Sequence, residues 1–218
     1  MNFRRVHETM SKSEKFWDRA AKRFEGQVNE DDKAAIITLN LTHKYLQSSD
    51  IVLDFACATG KYAFELAPQV KEVWGIDISS VMINAAKQNA KDSGITNAHF
   101  MQVEIADLQL EDETFDVVLA YNILHLVEDP PQVLAKIKKL LKPGGIFISV
   151  TPCLGASRSL QTLLIKLMSF LGIVPRIHLF KPNEVEGLIT NAHFDLLETQ
   201  ILLDSISNIL LVARRNTR

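Results

Sequence analysis

The sequence is short of several things, and each shortage closes a class of function. Only two cysteines occur, Cys57 and Cys153, and they are not clustered with histidines at metal-ligand spacing. That argues against both a zinc site and a disulfide framework, and Cys57 reads as a small packing residue. With no signal-peptide pattern, the expected location is the reducing cytoplasm. No apolar run of about 18 residues is free of charge, so a membrane-spanning helix is not expected. Basic charge is not in excess: 24 Lys+Arg against 26 Asp+Glu leave a formal net charge of −2. Nucleic acid is therefore not an expected partner, and the short basic ends, Arg4-Arg5 and Arg214-Arg215 with Arg218, read as solvated tails. Internal repeats and low-complexity segments are also missing. The remainder, 218 residues at 47% hydrophobic, suits a single domain with a sizeable core.

Glycine is scarce where a dinucleotide site would need it. The apolar run Ile51–Phe55 carries Asp54 near its end and leads into a turn of small residues, Ala56-Cys57-Ala58-Thr59-Gly60. A second apolar run ends at Asp77, 23 positions beyond Asp54. This is the layout of a nucleoside-binding βαβ unit whose second acid accepts hydrogen bonds from ribose hydroxyls. A pyrophosphate needs bare backbone N–H groups, hence the three glycines of G-x-G-x-x-G; here those positions hold Ala56, Ala58 and Lys61. Asp54 would also repel a pyrophosphate across a short gap. It suits instead the α-ammonium and sulfonium of S-adenosylmethionine (SAM).

Along the chain, residues 12–26 pattern as a helix with Phe16, Trp17, Ala20 and Phe24 on its apolar stripe, and a second helix is expected over about 31–46. From Ile51 short apolar runs alternate with helical periodicity. Strands are expected at 51–55, 72–77, 98–103, 115–121, 145–151, 194–201 and 206–214. Ala63, Leu66, Ala67 and Val70 form one helical stripe, and Val133, Ile137, Leu140 and Leu141 another. Such alternation implies a mostly parallel sheet covered on both faces, closed by an antiparallel hairpin because no helix separates the last two strands. Residues 157–173 place Leu160, Leu163, Leu164, Leu167, Met168 and Leu171 on one wide apolar face. Three readings stay open for that segment: a helix packed on the core, a lid over an apolar acceptor, and a membrane-surface contact.

VLDFACATG at 52–60, GIDIS at 75–79, Glu104-Ile105, FDVVLAYNILHLVED at 115–129 and LLKPGG at 140–145 occur in this order. In these residues the chain resembles the class I SAM-dependent methyltransferases, in particular the small-molecule branch that includes ubiquinone- and menaquinone-biosynthesis enzymes. The resemblance runs from about Phe16 to Arg214. It departs at Ala56 and Ala58, where the usual motif has glycine, and each adds a methyl group to the turn. It implies a three-layer Rossmann-like α/β sandwich of seven strands in the order 3-2-1-4-5-7-6. Residues 12–47 would form a helical cap, and 155–180 a helical insertion over the substrate.

The resemblance and the strand ends together nominate a site. Asp54, Phe55, Ala56 and Gly60 belong to the cofactor turn. Asp77 would hold the ribose, with Ser79 better placed as the helix cap. Ile78 and Met82 would pack on adenine. Glu104 would accept from the adenine amino group while the Ile105 N–H donates to a ring nitrogen. Tyr121 and Asn122 would line the methionine portion; they do not make the [DN]-PP-[YF] motif of enzymes that methylate amino groups of DNA. Trp17, with Phe16 and Phe24, would form a flap. His125 is the candidate general base, since an ordinary imidazole titrates near neutral pH. The expected partner is a small-molecule methyl acceptor; no pattern specifies the acceptor atom or an oligomeric state. Two other readings stand beside this one. A non-catalytic binding module on the same fold would be set apart by failure to bind SAM, and a dehydrogenase by binding NAD(H) or NADP(H).

Overall fold

The structure, a computed structural model, describes residues 12–21, 32–156, 164, 167, 169, 174–203 and 207–217. Two helices come first, α1 (Lys12–Ala20) and α2 (Lys33–His43). The second is capped by Asp32, whose side chain accepts from Ala35 N at 3.0 Å. An alternating series follows: β1 (Ile51–Phe55), α3 (Lys61–Leu66), β2 (Glu72–Asp77), α4 (Ser80–Asp92), β3 (Ala98–Gln102), β4 (Phe115–Tyr121), α5 (Pro130–Leu140), β5 (Leu141–Pro152), α6 (Pro182–Asn191), β6 (Phe194–Leu203) and β7 (Ser207–Arg215).

These strands form one sheet in the order β3-β2-β1-β4-β5-β7-β6, with β7 antiparallel to both its neighbours and the other pairs parallel. The expected topology and hairpin are both present. Because strand side chains alternate between faces, Val52, Val73, Leu119 and Val150 join one core with α3 and α4. Leu53, Val118, Phe147 and Leu211 join the other with α5 and α6. Each fully buried leucine or phenylalanine contributes about 1.5–3 kcal/mol, and both faces are filled.

The largest departure from the sequence patterns lies where α5 meets β5. In α5 the buried stripe is Leu134, Ile137 and Leu140, while Val133 is only partly covered. Leu141 is not helical: it opens β5, four residues before the expected start, and pairs with Phe115 across a register shift. Lys142 Nζ then reaches Asp116 Oδ1 at 2.7 Å, and Asp116 Oδ2 accepts from Ile51 N at 2.9 Å, so side chains tie the strand starts together. Of the helix expected at 12–26, residues 12–20 are helical, and the part from 22 onward, with Phe24, lies outside the described residues. Most of 157–173 lies outside them too. Leu164 and Leu167 are described, are helical and are 55% and 52% exposed, so neither packs into the core.

Candidate functional site

The carboxyl ends of β1 to β5 open into a cleft of about 1480 Å³. An open α/β sheet places ligands there, where the order reverses beside its first strand. The cleft wall includes Trp17, Asp54, Phe55, Ala56, Asp77, Ile78, Met82, Glu104, Ile105, Tyr121, Asn122 and His125. Of the nominated residues that the structure describes, only Gly60 stands outside the wall. Its φ is +84°, and a Cβ there would lie 2.6 Å from Phe64 Cζ, so the turn requires glycine at this position.

The turn after β1 holds an unusual backbone. Ala56 and Ala58 both adopt left-handed conformations, with φ of 62° and 49°. Here alanine takes a geometry that favours glycine, at a cost of about 1–2 kcal/mol per residue. Cys57 N donates to Ile76 O at 3.0 Å and Gly60 N to Cys57 O at 2.9 Å, so the turn is pinned across to β2. Gly75 makes this close approach feasible: a Cβ there would sit 2.8 Å from Cys57 Sγ. Burial, then the charges of Asp54 and Asp77, push the Cys57 thiol up, which makes it an inert packing group.

The two acids differ in their surroundings. Asp77 accepts from Ser79 N (2.8 Å) through Oδ1 and from Ala58 N (3.1 Å) through Oδ2. Burial still raises its pKa, against the pull of those bonds. Asp54 is 3% exposed, and its Oδ2 is buried with no hydrogen-bond partner. Burial, reinforced by the Asp77 charge, pushes its carboxyl up to about 7. As anticipated, Ser79 caps α4, accepting from Met82 N at 3.1 Å.

Glu104 begins a short 3-10 turn, and partial burial raises its pKa. Tyr121 is held by its hydroxyl against Thr42 Oγ1 at 2.5 Å and by an edge-on contact with Tyr62 at 4.8 Å. Asn122 has φ 56°, a conformation asparagine tolerates better than most residues. His125 lies in the following turn, 8% exposed, with Nδ1 unpartnered. Burial, then the nearby His178, lower its pKa to about 4, so its imidazole is neutral at physiological pH. Phe16 and Trp17 pack edge to face at 5.1 Å over the mouth.

The cleft also draws on residues that no sequence pattern singled out. Tyr62 follows the turn, and Thr42 reaches it only through Tyr121. Val174, Pro175 and Arg176 line the rim. His178 clasps that segment: its N–H donates to His125 O at 2.8 Å, and its Nε2 pairs with Val127 O at 2.9 Å.

A model of the methyltransferase domain family matches residues 46–195. The chain belongs to the class I SAM-dependent methyltransferases. Within this methyltransferase family, a ubiquinone biosynthesis O-methyltransferase of Paracidovorax citrulli is 29% identical over 159 residues, 68% of this chain and 65% of that protein. The chain thus spans just under two thirds of that relative. A SAM-dependent methyltransferase from Methanosarcina mazei superposes with a TM-score of 0.70 at 23% identity, over 82% of this chain and 98% of the other. The [4+2]-cyclase SpnF superposes at 0.79 with 16% identity over 98% of both. The fold is common to this chain and both solved structures, and it does not by itself select a reaction. No described helix is long and apolar enough to cross a membrane, and no His/Cys/Asp/Glu cluster among the described residues suits a metal ion.

Proposed function

We propose that this chain transfers the methyl group of SAM to a small, largely apolar metabolite by direct in-line displacement. The observation that carries the reading is Asp54, a buried carboxylate in the cleft wall with one oxygen unpartnered. Such a group lacks a cation, and the α-ammonium and sulfonium of SAM would supply one. The other residues fit the same ligand. Asp77 would take the ribose hydroxyls, Glu104 and the Ile105 N–H the adenine edge, and Ile78 and Met82 its faces. Tyr121 and Asn122 would flank the methionine portion, under Phe16 and Trp17.

When bound, SAM supplies a methyl group made electrophilic by its sulfonium. The chain's own part is to hold the acceptor in line, exclude water and accept a proton where the acceptor is weakly nucleophilic. His125 Nδ1, neutral and unpartnered in the cleft, is the proposed proton acceptor. Ile123, Leu126, Val127 and Val174 give the adjoining wall an apolar character, which favours an apolar acceptor. The name of the Paracidovorax relative supports a ring of quinone type among the acceptors to try first.

Calorimetric titration with SAM and with S-adenosylhomocysteine, followed by labelled-methyl transfer to a panel of quinols, phenols and aliphatic acids, tests this. Micromolar binding and label in an apolar acceptor are expected. Absence of binding would sink the reading and leave a non-catalytic module.

A further inference from the structure

Helix α1 is fastened to the ribose side of the cleft by two carboxylates one turn apart. Asp18 Oδ1 accepts from Ser79 Oγ at 2.6 Å and from Val81 N at 3.4 Å. Glu14 Oε1 accepts from Gln102 Nε2 at 2.8 Å, and the same amide donates to Ile78 O at 3.1 Å. The Ser79 hydroxyl already accepts from Met82 N, which leaves its single proton for Asp18. Meanwhile its backbone N–H donates to Asp77 Oδ1 at 2.8 Å. Ser79 therefore joins a carboxylate of the covering helix to the carboxylate assigned to ribose.

The helix lies at the protein surface. Its nine residues are too few to persist alone, and none is buried. Lys12, Ser13, Phe16 and Trp17 line the cleft. With its own carboxylates satisfied by α4 and β3, α1 presents these four toward the ligand space.

We propose that Asp18 is a positioning residue for the cofactor: through Ser79 it holds α1 over the cleft and fixes the turn that bears Asp77. Docking of the helix and binding of the cofactor then favour each other by the same factor, as linkage requires. This rests on the reading that the cleft takes SAM. The like charges of Asp18 and Asp77 oppose the arrangement in the empty cleft, and ribose hydroxyls donating to Asp77 would relieve it.

Hydrogen exchange at residues 12–20 and affinity for S-adenosylhomocysteine, both measured on the full chain, test the proposal. In the wild type, saturating ligand slows exchange in this helix. Asp18→Ala abolishes that slowing and weakens affinity about three- to tenfold, the loss expected for one hydrogen bond of ordinary net strength. Asp18→Asn keeps a carbonyl acceptor and recovers most of the affinity. Glu14→Gln shifts both readouts the same way by less. The thermal midpoint of the ligand-free protein stays unchanged in all three, which a merely structural role would not allow. Unchanged affinity in Asp18→Ala, or exchange in wild-type α1 that ignores bound ligand, overturns the latch and leaves the cofactor reading intact. A wild type that binds no ligand overturns both.

Discussion

The two ends of the cleft are built on different principles. At the β1–β2 end the polar groups are tied into the backbone: both oxygens of Asp77 have N–H donors, and the turn of residues 56–60 is pinned to β2. Among the described buried side chains there, Asp54 Oδ2 has no hydrogen-bond partner. At the β4–β5 end Ile123, Leu126, Val127 and Val174 line the wall beside Glu128, Asp129, Lys136 and Arg176, His125 Nδ1 has no partner, and Leu164 and Leu167 beyond β5 are exposed. A ligand common to a whole family demands fixed donors at strand ends, whereas an acceptor that varies is matched by shape and by whatever the insertion supplies.

Substitution of the lone histidine should separate the two ends most sharply. His125→Ala is expected to lower turnover about a hundredfold while SAM affinity stays within about twofold. Because the folded imidazole titrates near 4, acceptor methylation at saturating SAM should show no step at an ordinary histidine value between about pH 5 and 8. A rate within a fewfold of wild type would assign His125 to packing and dissolve the contrast.

At the other end, Asp77→Ala should reverse that pattern. Two charge-assisted bonds to ribose, each worth about 1.5–3 kcal/mol before water compensates, are lost with the carboxylate. Affinity for SAM should fall at least about tenfold with the fold retained. An unchanged dissociation constant would refute the assigned ribose site.

Asp54 makes the comparison a matter of stability. Its carboxyl titrates near 4 when unfolded and about 7 when folded. Between those values the folded state holds a proton that the unfolded state has lost. Stability therefore falls as pH rises from about 4 to 7 and stays low above. Asp54→Asn removes the buried charge. It should leave stability unchanged near pH 4 and raise it by a few kcal/mol at pH 8, while SAM binding is lost. Equal melting shifts at both pH values would show that the charge is not the cause.

How much of this could be read from the sequence follows the same division. Asp54 and Asp77 end apolar runs at the spacing of a βαβ unit, so the place of both acids at strand ends was legible, and the family resemblance implied the sheet order. Tyr121 and Asn122 were visible as the end of β4. Thr42, Tyr62 and Arg176 were not, because each reaches the cleft through tertiary packing that leaves no period or spacing. The start of β5 was missed because Leu140 and Leu141 continue the apolar stripe of α5, and strand pairing with Phe115 overrides that pattern. Gly60 was legible as part of the turn; its crowding by Phe64 appears only in three dimensions.

The smallest effect concerns the two alanines that set this turn apart. Both hold left-handed backbone, so replacing Ala58 by glycine should relieve about 1–2 kcal/mol of strain. Glycine's greater freedom in the unfolded chain takes back about 0.5–1 kcal/mol. The net gain should be about 1 kcal/mol or less, a rise in melting temperature of about 2–4 °C for a chain of this size. Affinity for SAM should change by less than about threefold, because Ala58 contributes its N–H to Asp77 and not its methyl group. Ala56→Gly should behave alike. A destabilisation beyond about 1 kcal/mol in either variant would mean that the methyl groups are packing contacts. The alanines would then stabilise the turn rather than strain it, and the contrast between a pinned cofactor end and an adaptable acceptor end would need another explanation for their presence.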